Sequence, residues 1–250
     1  MNPVYAGNLG AVARLVANFG VDDVVYVSEQ TLHQSMMAEI YAVGCSKEEL
    51  SRFRRVGTME EALEGVEWAI AFSKKEHRHV ERERTLPEWV SEFRGLLERR
   101  QGVGSVGLVF GKETHGLTER ELEACHREVS IPVTTRLGSM NLSHSIAVVL
   151  ARVFEVLQGY EERPREQGGD RPRMATAAEL ERLKTHLYQT IVESPHFSGA
   201  NPYHMLDPML EVLRRAEMTH REFNYFRAFV ARVRAGNKVL DQDQEKNLGL

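Results

Sequence analysis

The chain has 250 residues, of which 42% are hydrophobic and 27% are charged, and its formal net charge is −4 at pH 7. This length and balance are typical of a globular protein with one substantial domain and a smaller appendage. They argue against a broadly basic protein that coats nucleic acid, although they allow a local basic groove. The two cysteines, Cys45 and Cys125, lie far apart without CxxC spacing, so we expect reduced thiols and neither a disulfide framework nor a zinc site.

Membrane insertion and secretion are not indicated by the sequence. It contains no apolar run long enough to span a bilayer, and its first residues carry no basic segment of the kind that opens a signal peptide. We therefore expect a cytoplasmic protein without a membrane partner.

Strand and helix signals alternate over the first 157 residues. Asn8 and Gly20 are placed to begin and to end a first helix. Capping-box spacing occurs at Ser46, Thr58 and Thr118, each of which stands three residues before a glutamate. Strands are predicted at residues 24–27, 68–72, 106–110 and 129–131, and longer helices at residues 9–19, 86–99 and 142–157. This alternation predicts an α/β fold in which a mostly parallel sheet is covered by helices on both faces.

The composition changes at residues 159–173, where prolines, paired glycines and many charges are typical of a linker. Beyond it, helical patterns occur at residues 176–193, 208–217 and 220–235, without a strand signal. We therefore divide the chain into an α/β domain over residues 1–158, the linker, and a helical region over residues 174–250.

Four turns follow predicted strands or begin helices, and ligands of open α/β sheets bind outside the carboxyl ends of the strands. In the first turn, Gly7 and Gly10 permit a close backbone approach, and the helix start offers free N–H groups to a phosphate. Arg14, one turn into that helix, is suited to hold a phosphate through two hydrogen bonds. A plain helix start with a solvated arginine is the alternative for this segment taken alone.

The second turn follows Phe72 and continues from Ser73 and Lys74 into a basic stretch. Five Lys or Arg residues and two His residues fall within residues 74–84. Phosphate contact is the functional interpretation, whereas three interspersed glutamates favour a solvated surface loop. The two histidines, His77 and His79, have no carboxylate or cysteine at ligand spacing, so we expect no metal.

The third turn, made by Gly111, Lys112 and Glu113, lies between a predicted strand and a capped helix. This arrangement of strand, glycine turn and helix often cradles a ligand. Glu113 stands at the carboxyl edge of the sheet, where it either hydrogen-bonds a ligand or caps the adjoining helix.

The fourth turn runs from Ile131 through Gly138, Ser139 and Met140 to Asn141. Asn141 stands at a helix start, where capping is its simplest role. The helix that follows is apolar nearly all round, which predicts burial within the fold or at a dimer interface.

A literal GxGxxG match at residues 102–107 does not indicate a dinucleotide site. That fingerprint needs a strand before the glycines and a helix after them, whereas here the glycines precede the strand. We interpret the segment as a flexible loop that leads into the strand, and a nicotinamide dehydrogenase is accordingly disfavoured.

Together and in this order, the turns resemble the TrmJ-like subfamily of the TrmH-type SPOUT methyltransferases. The resemblance covers about residues 2–157 and is weaker in the helical region. It is carried by Asn2, Pro3, Gly7, Asn8, Leu9, Gly10 and Arg14, by Phe110, Gly111, Lys112, Glu113, Gly116 and Leu117, and by Ile131, Pro132, Ser139, Met140, Asn141, Leu142 and Ser143.

The resemblance implies a parallel sheet whose C-terminal part forms a trefoil knot, and a bent S-adenosylmethionine (the methyl donor) held in the knot by backbone groups. The donor-binding loops would correspond to Phe72, Ser73, Lys74, Gly111, Lys112, Glu113, Ile131, Gly138, Ser139 and Met140. Contacts with RNA would involve Asn8, Arg14, Lys74, Lys75, Arg78 and Arg82.

The resemblance also implies a homodimer that methylates the ribose 2′-oxygen of nucleotide 32 in the anticodon loop of tRNA. The arginine of the first turn, here Arg14, would line a site completed by the other subunit. An arginine stays protonated at ordinary pH, so we expect it to clamp a phosphate and to stabilise developing negative charge rather than to act as a base. Ser139 and Asn141 would position the hydroxyl or the loop.

The sequence departs from the family pattern at its start, because relatives have a hydrophobic strand immediately before Asn2, where this chain has only Met1. We therefore expect a truncated or missing first strand, which puts stability and activity in doubt. Two other functions remain open: a ribose 2′-O-methyltransferase acting on ribosomal RNA, and a non-catalytic RNA-binding protein that keeps the fold. The basic and aromatic residues of the helical region suit either tRNA contact or packing on the core or the partner subunit.

Overall fold

Parallel strands form the scaffold of the first part of the chain. The computed structural model describes residues 6–29, 31–34, 36–42, 44, 49–50, 52–74, 83–100, 104–134, 136, 138, 140–160, 172–194 and 203–247. Strands β1 (Val24–Val27) and β2 (Phe53–Val56) pair with each other. A second sheet has the order β4–β6–β3–β5, with β3 at Trp68–Phe72, β4 at Glu83–Thr85, β5 at Val106–Phe110 and β6 at Arg127–Ser130. All these pairings are parallel, which confirms the predicted α/β class.

The chain divides into two compact units, residues 1–169 and residues 170–250. Helices of the first unit are α1 (Ala6–Phe19), α2 (Met36–Tyr41), α3 (Met59–Ala62), α4 (Leu86–Arg100), α5 (Glu119–Glu123) and α6 (Leu142–Gln158). Helices of the second unit are α7 (Ala177–Val192), α8 (Tyr203–Arg215) and α9 (His220–Asn247). Most of the predicted linker, residues 161–171, and the predicted cap at Ser46 lie outside the described residues.

One predicted cap is wrong. Helix α1 begins at Ala6, so Asn8 lies within its first turn instead of capping it. The side-chain amide of Asn8 instead donates a hydrogen bond to the carboxylate of Glu113. A tertiary contact to a charged acceptor has taken the place of the local hydrogen bond that a cap would make.

The other described caps follow the prediction. Thr118 and Glu121 form a complete capping box at α5, and Asn141 caps α6. Thr58 accepts a hydrogen bond from the Glu61 N–H as expected, but the Glu61 carboxylate reaches the N–H of Gly57, 2.9 Å away, instead of that of Thr58. Strands β2 and β4 and helix α2 were not predicted.

The core of the first unit forms around β3, whose five residues are all buried. Trp68, Ile70 and Phe72 share one face of this strand, and that face packs against α4 and α6. Trp89 of α4 is fully buried and stacks on Phe93, with 5.5 Å between ring centroids. A second cluster joins α1 to β1 and β2 and includes Leu9, Val12 and Tyr26.

Polar residues at the start of β6 are buried but hydrogen-bonded. Nδ1 of His126 accepts the Ala69 N–H at 3.1 Å. The guanidinium of Arg127 donates to one carboxylate oxygen of Glu92 through Nε at 2.9 Å and Nη2 at 2.7 Å. Because these partners hydrogen-bond His126 and Arg127, a strand that begins with charge still lies inside the sheet.

The second unit has its own core, built from α7, α8 and α9 around Leu183, Leu206 and Phe223. Thr176 and Glu179 form a complete capping box at the start of α7. Among the described residues of the whole chain, we find no helix that combines the length and the apolar character needed to cross a bilayer.

Candidate functional site

Predicted turns leave neighbouring strands at the same edge of the sheet. Strand β3 lies between β5 and β6, and Phe72 at its end is in register with Phe110 on one side and with Val129 on the other. Neighbouring strands lie about 4.8 Å apart. The turns that begin at Ser73, Gly111 and Ile131 therefore start side by side, as the sequence predicted.

An apolar base supports these turns. The rings of Phe72 and Phe110 stack with centroids 4.8 Å apart and an interplanar angle of 11°. Ile131 packs against the same cluster from the neighbouring strand end. The rigid base fixes where the backbone groups of the turns point.

The turn after β5 is tightly closed. Lys112 and Gly116 exchange backbone hydrogen bonds of 3.2 and 2.8 Å, and Gly116 has a φ of +71°, which favours glycine. A side chain at Gly111 would collide with the backbone of Gly116 and Leu117. The sequence thus uses two glycines to fold the turn back on itself, which leaves the half-buried Glu113 within the turn.

Helix α1 reaches this edge through Asn8. Its side-chain amide donates to Oε1 of Glu113, a contact between residues 105 positions apart in the sequence. The first and third turns of the sequence analysis therefore form one surface, and Glu113 has an assigned protein partner rather than a helix to cap.

The fourth turn, at Gly138, lies close to Lys74 of the second turn. Gly138 has a φ of +65°, and a Cβ atom placed on it would lie 2.7 Å from Nζ of Lys74. Met140 is half-buried nearby in sequence, whereas Ser139 lies outside the described residues. Oδ1 of Asn141 accepts from the Ser143 N–H at 2.9 Å and from its hydroxyl at 2.7 Å, so this oxygen acts as a helix cap.

Arg14 does not lie on the side of α1 where Asn8 contacts Glu113. Its side chain is exposed, and among the described residues it makes no hydrogen bond or ion pair. Successive helical residues turn by about 100°, so Arg14 lies roughly 120° around α1 from Asn8. The face of α1 that carries Arg14 therefore differs from the face that meets Glu113.

Only part of the basic stretch that begins at Lys74 lies within the described residues. Lys74 is exposed at the edge of the sheet, and Lys75, Arg78 and Arg82 lie outside the described residues. Their predicted contact with RNA stays a prediction.

Sequence reasoning missed Tyr41 at the end of α2. A Cβ atom placed on Gly7 would lie 3.0 Å from two carbon atoms of the Tyr41 ring, so the ring lies directly against α1. The signal that pointed to it is the spacing of Gly7 and Gly10, because two glycines on one helix face allow a second helix to approach closely.

This edge offers backbone groups from several glycine turns, an apolar base and one carboxylate already paired with an amide. It is suited to hold a ligand through backbone contacts. The geometry thus defines an α/β protein with a ligand site at the carboxyl ends of parallel strands.

Comparison with known proteins identifies the class. The model of the SpoU rRNA Methylase family matches residues 1–151, and because this is more than half of the chain, the chain belongs to that family.

Within that class the chain is most informatively compared with TrmJ enzymes, as the sequence resemblance predicted. It is 27% identical over 241 residues to the tRNA (cytidine/uridine/adenosine-2′-O-)-methyltransferase TrmJ of Pseudomonas aeruginosa. This alignment covers 92% of this chain and 90% of the relative. It is 31% identical over 158 residues to the tRNA (cytidine-2′-O-)-methyltransferase TrmJ of Methanocaldococcus jannaschii, covering 62% of this chain and 65% of that one.

Solved structures share the fold. TrmJ from Z. mobilis ZM4 superposes with a TM-score of 0.71 at 20% identity, covering 93% of this chain and 96% of that one. A probable methyltransferase from Bordetella pertussis Tohama I gives a TM-score of 0.56 at 26% identity, covering 62% and 91%. The predicted SpoU-type family is confirmed, and the predicted resemblance to TrmJ enzymes agrees with relatives of that name that match nearly the full length of the chain.

Proposed function

We propose that the chain is an S-adenosylmethionine-dependent methyltransferase that modifies the ribose 2′-hydroxyl of tRNA. The observation that carries the proposal is the convergence of the glycine turns at one sheet edge, closed by the Asn8–Glu113 hydrogen bond, in a member of the SpoU family. Relatives named as tRNA 2′-O-methyltransferases match nearly the full length of the chain, which supports tRNA as the substrate.

The residues fit the methyl donor. Backbone-rich turns at Ser73, Gly111 and Gly138 lie at this edge without side chains on the two glycines, and the stacked pair of Phe72 and Phe110 gives an apolar base. The remaining donor contacts are assigned to Lys74, Lys112, Glu113, Ile131, Ser139 and Met140. When bound, the donor supplies an electrophilic methyl group on a sulfonium.

The chain's own residues bind and orient the RNA. Arg14 clamps the phosphate next to the target ribose and stabilises the negative charge that develops on its oxygen, and such preorganised donors are often worth 100-fold or more in rate. Ser139 and Asn141 hold the loop that orients the hydroxyl, the latter through its cap. Asn8, Lys74, Lys75, Arg78 and Arg82 extend the contact with the RNA backbone.

The site belongs to a dimer in this proposal. Arg14 lies on a face of α1 turned away from the Glu113 turn, which supports a role in the site of the other subunit. Helix α6 exposes Phe154 and Leu157, and this apolar surface supports a homodimer contact beside α1. The fourth turn, which runs from Ile131 to Asn141 and passes against Lys74, is the segment that the proposed trefoil knot would thread.

The finer features of the proposal rest on the family resemblance. They are methylation at nucleotide 32 of the anticodon loop, a cytoplasmic location, and a division into an α/β domain (residues 1–158), a linker (159–173) and a helical extension (174–250). Ribosomal RNA as the substrate is the second candidate, which the family description favours.

The decisive experiment incubates the full chain with labelled donor and either bulk tRNA or ribosomal RNA, and maps the methylated riboses by mass spectrometry. We expect label in the anticodon loop of tRNA and none in ribosomal RNA. Label in ribosomal RNA alone would select the second candidate, and RNA binding without either methyl transfer or donor binding by calorimetry would select a non-catalytic RNA-binding protein.

Arg14 is tested in the same assay. We expect Arg14→Ala to lower kcat by about 100-fold or more and Arg14→Lys to retain part of the activity, because lysine keeps the charge but not the paired hydrogen bonds. Near-normal rates in both variants would remove Arg14 from the mechanism.

A further inference from the structure

Tyr41 is an exposed aromatic residue held in a fixed position. The residue is 52% exposed at the end of α2, and the neighbouring Ile40 is 53% exposed. Single exposed apolar residues are common and indicate nothing by themselves. What distinguishes Tyr41 is the way in which α1 supports it.

Two glycines of α1 fix the stem and the ring of Tyr41. A Cβ atom at Gly10 would collide with the Ala38 carbonyl oxygen and lie 2.8 Å from Cβ of Tyr41. A Cβ atom at Gly7 would lie 3.0 Å from Cδ2 and Cε2 of the ring. The ring therefore rests on the α1 backbone while half of it stays open, so it loses little rotamer freedom when something stacks on it.

The same face of α1 carries Arg14. Seven residues separate Gly7 from Arg14, and positions seven apart on an α-helix differ by only about 20° around its axis. Gly10 and Arg14 are four apart and are neighbours on the helix surface. Tyr41 therefore lies along the α1 face that presents the Arg14 guanidinium.

We propose that Tyr41 stacks on a base of the single-stranded RNA loop while Arg14 holds a phosphate beside it. An open aromatic face next to a guanidinium matches the two parts of one nucleotide, an aromatic base and an anionic phosphate. RNA is the occupant to which we commit, because the exposed Arg14 makes no ion pair among the described residues and its guanidinium can hold a phosphate through two hydrogen bonds. This assignment rests on the proposed function and makes Tyr41 a positioning residue.

The test compares Tyr41→Ala, Tyr41→Leu and Tyr41→Phe in the full chain, with Ile40→Ala as the matched control on the same helix. Base stacking on an aromatic side chain is worth about 1–3 kcal/mol, so we expect Tyr41→Ala to raise KM for tRNA roughly tenfold with little change in kcat. Tyr41→Phe and Ile40→Ala should behave like wild type, whereas Tyr41→Leu should behave like Tyr41→Ala. Donor affinity, measured by calorimetry, should be the same in all variants.

A second readout separates this inference from the proposed function. Binding of a single-stranded RNA oligonucleotide that contains 2-aminopurine reports stacking without methyl transfer. If wild type quenches the fluorescence of the 2-aminopurine and Tyr41→Ala does not, the stacking inference is supported even when tRNA is not methylated. Equal KM values and equal quenching in wild type and Tyr41→Ala would overturn the inference. A Tyr41→Leu variant with the KM and quenching of wild type would also overturn it. So would a sedimentation experiment in which wild type is a dimer and Tyr41→Ala is a monomer.

Discussion

The hydrogen bond between Asn8 and Glu113 shows how a local signal can have a non-local meaning. An asparagine near a helix start predicts a cap, and a glutamate after a glycine turn predicts either a ligand contact or a cap. In the folded chain the two residues bond to each other across 105 positions. Both residues could be selected from the sequence, but their pairing depends on where α1 docks, and no local pattern specifies that.

We expect Asn8 and Glu113 to be energetically coupled. In a double-mutant cycle of Asn8→Ala and Glu113→Ala, unfolding in urea followed by tryptophan fluorescence should give a coupling free energy of about 1–3 kcal/mol. Glu113→Gln is the matched control, because its amide oxygen still accepts the bond from Asn8. Additive single-mutant effects, or equal effects of Glu113→Ala and Glu113→Gln, would contradict a specific hydrogen bond.

The candidate site was predictable wherever glycine geometry marks it. Gly111 and Gly138 were selected as turn residues, and both allow contacts that a Cβ atom would block. Tyr41, the proposed stacking residue, was not selected because its neighbours in the sequence are those of an ordinary surface tyrosine. Its position follows from the packing of α2 on α1, which is a tertiary property.

At the scale of elements, long and strongly patterned segments were predicted well. Strand β3 is an uninterrupted apolar run, and α6 follows an asparagine cap, so both have sequence signals that agree with their burial. Strands β2 and β4 were missed because charged residues make up two of the four positions in β2 and two of the three in β4. Short parallel strands acquire their stability from non-local partners, and their own residues carry little β signal.

The capping box of α7 gives a pH-dependent prediction. Burial alone would raise the pKa of Glu179, but the hydrogen bond from the Thr176 N–H and the charges of Arg173 and His220 outweigh it and hold the pKa below the ordinary value of 4.5. A carboxyl group whose pKa is lowered on folding stabilises the folded state above its unfolded pKa, and this contribution is lost as the pH falls through the folded pKa. The second unit should therefore lose stability below about pH 4.5.

Glu179→Gln tests this contribution. At pH 7 we expect the variant to be roughly 1–3 kcal/mol less stable than wild type, and the difference should shrink as the pH falls below 4.5. Both tryptophans, Trp68 and Trp89, lie in the first unit, so far-UV circular dichroism is needed to follow the second unit. Glu181→Gln is the control, because it removes the same charge from α7 without touching the cap. A pH-independent difference would show that the charge of Glu179 is not what stabilises the helix start.

At the scale of the whole molecule, the sequence specified the class of fold but not its assembly. Strand and helix alternation predicted a parallel sheet, because such a sheet needs helices on both faces. A knot depends on the order in which segments pass through one another, and a dimer depends on surfaces, so neither produces a period in the sequence. The apolar character of α6 left both burial and an interface open, and the exposed Phe154 and Leu157 near its end are the basis of the proposed interface.

The proposed dimer is tested at Leu157, which is 45% exposed on α6 near Phe154, itself 36% exposed and in edge contact with Phe19 of α1. A two-fold contact places each substitution in the interface twice, so Leu157→Glu introduces two unpaired carboxylates into an apolar surface. We expect the dimer dissociation constant, measured by sedimentation, to rise at least about tenfold. Methyl transfer should fall as the monomer fraction rises, because Arg14 then lacks the site of the other subunit.

Val212→Glu is the control for Leu157→Glu, since Val212 is 55% exposed in the second unit. A Leu157→Glu protein that stays dimeric would place the interface elsewhere, and a monomer with full activity would confine the complete site to one subunit.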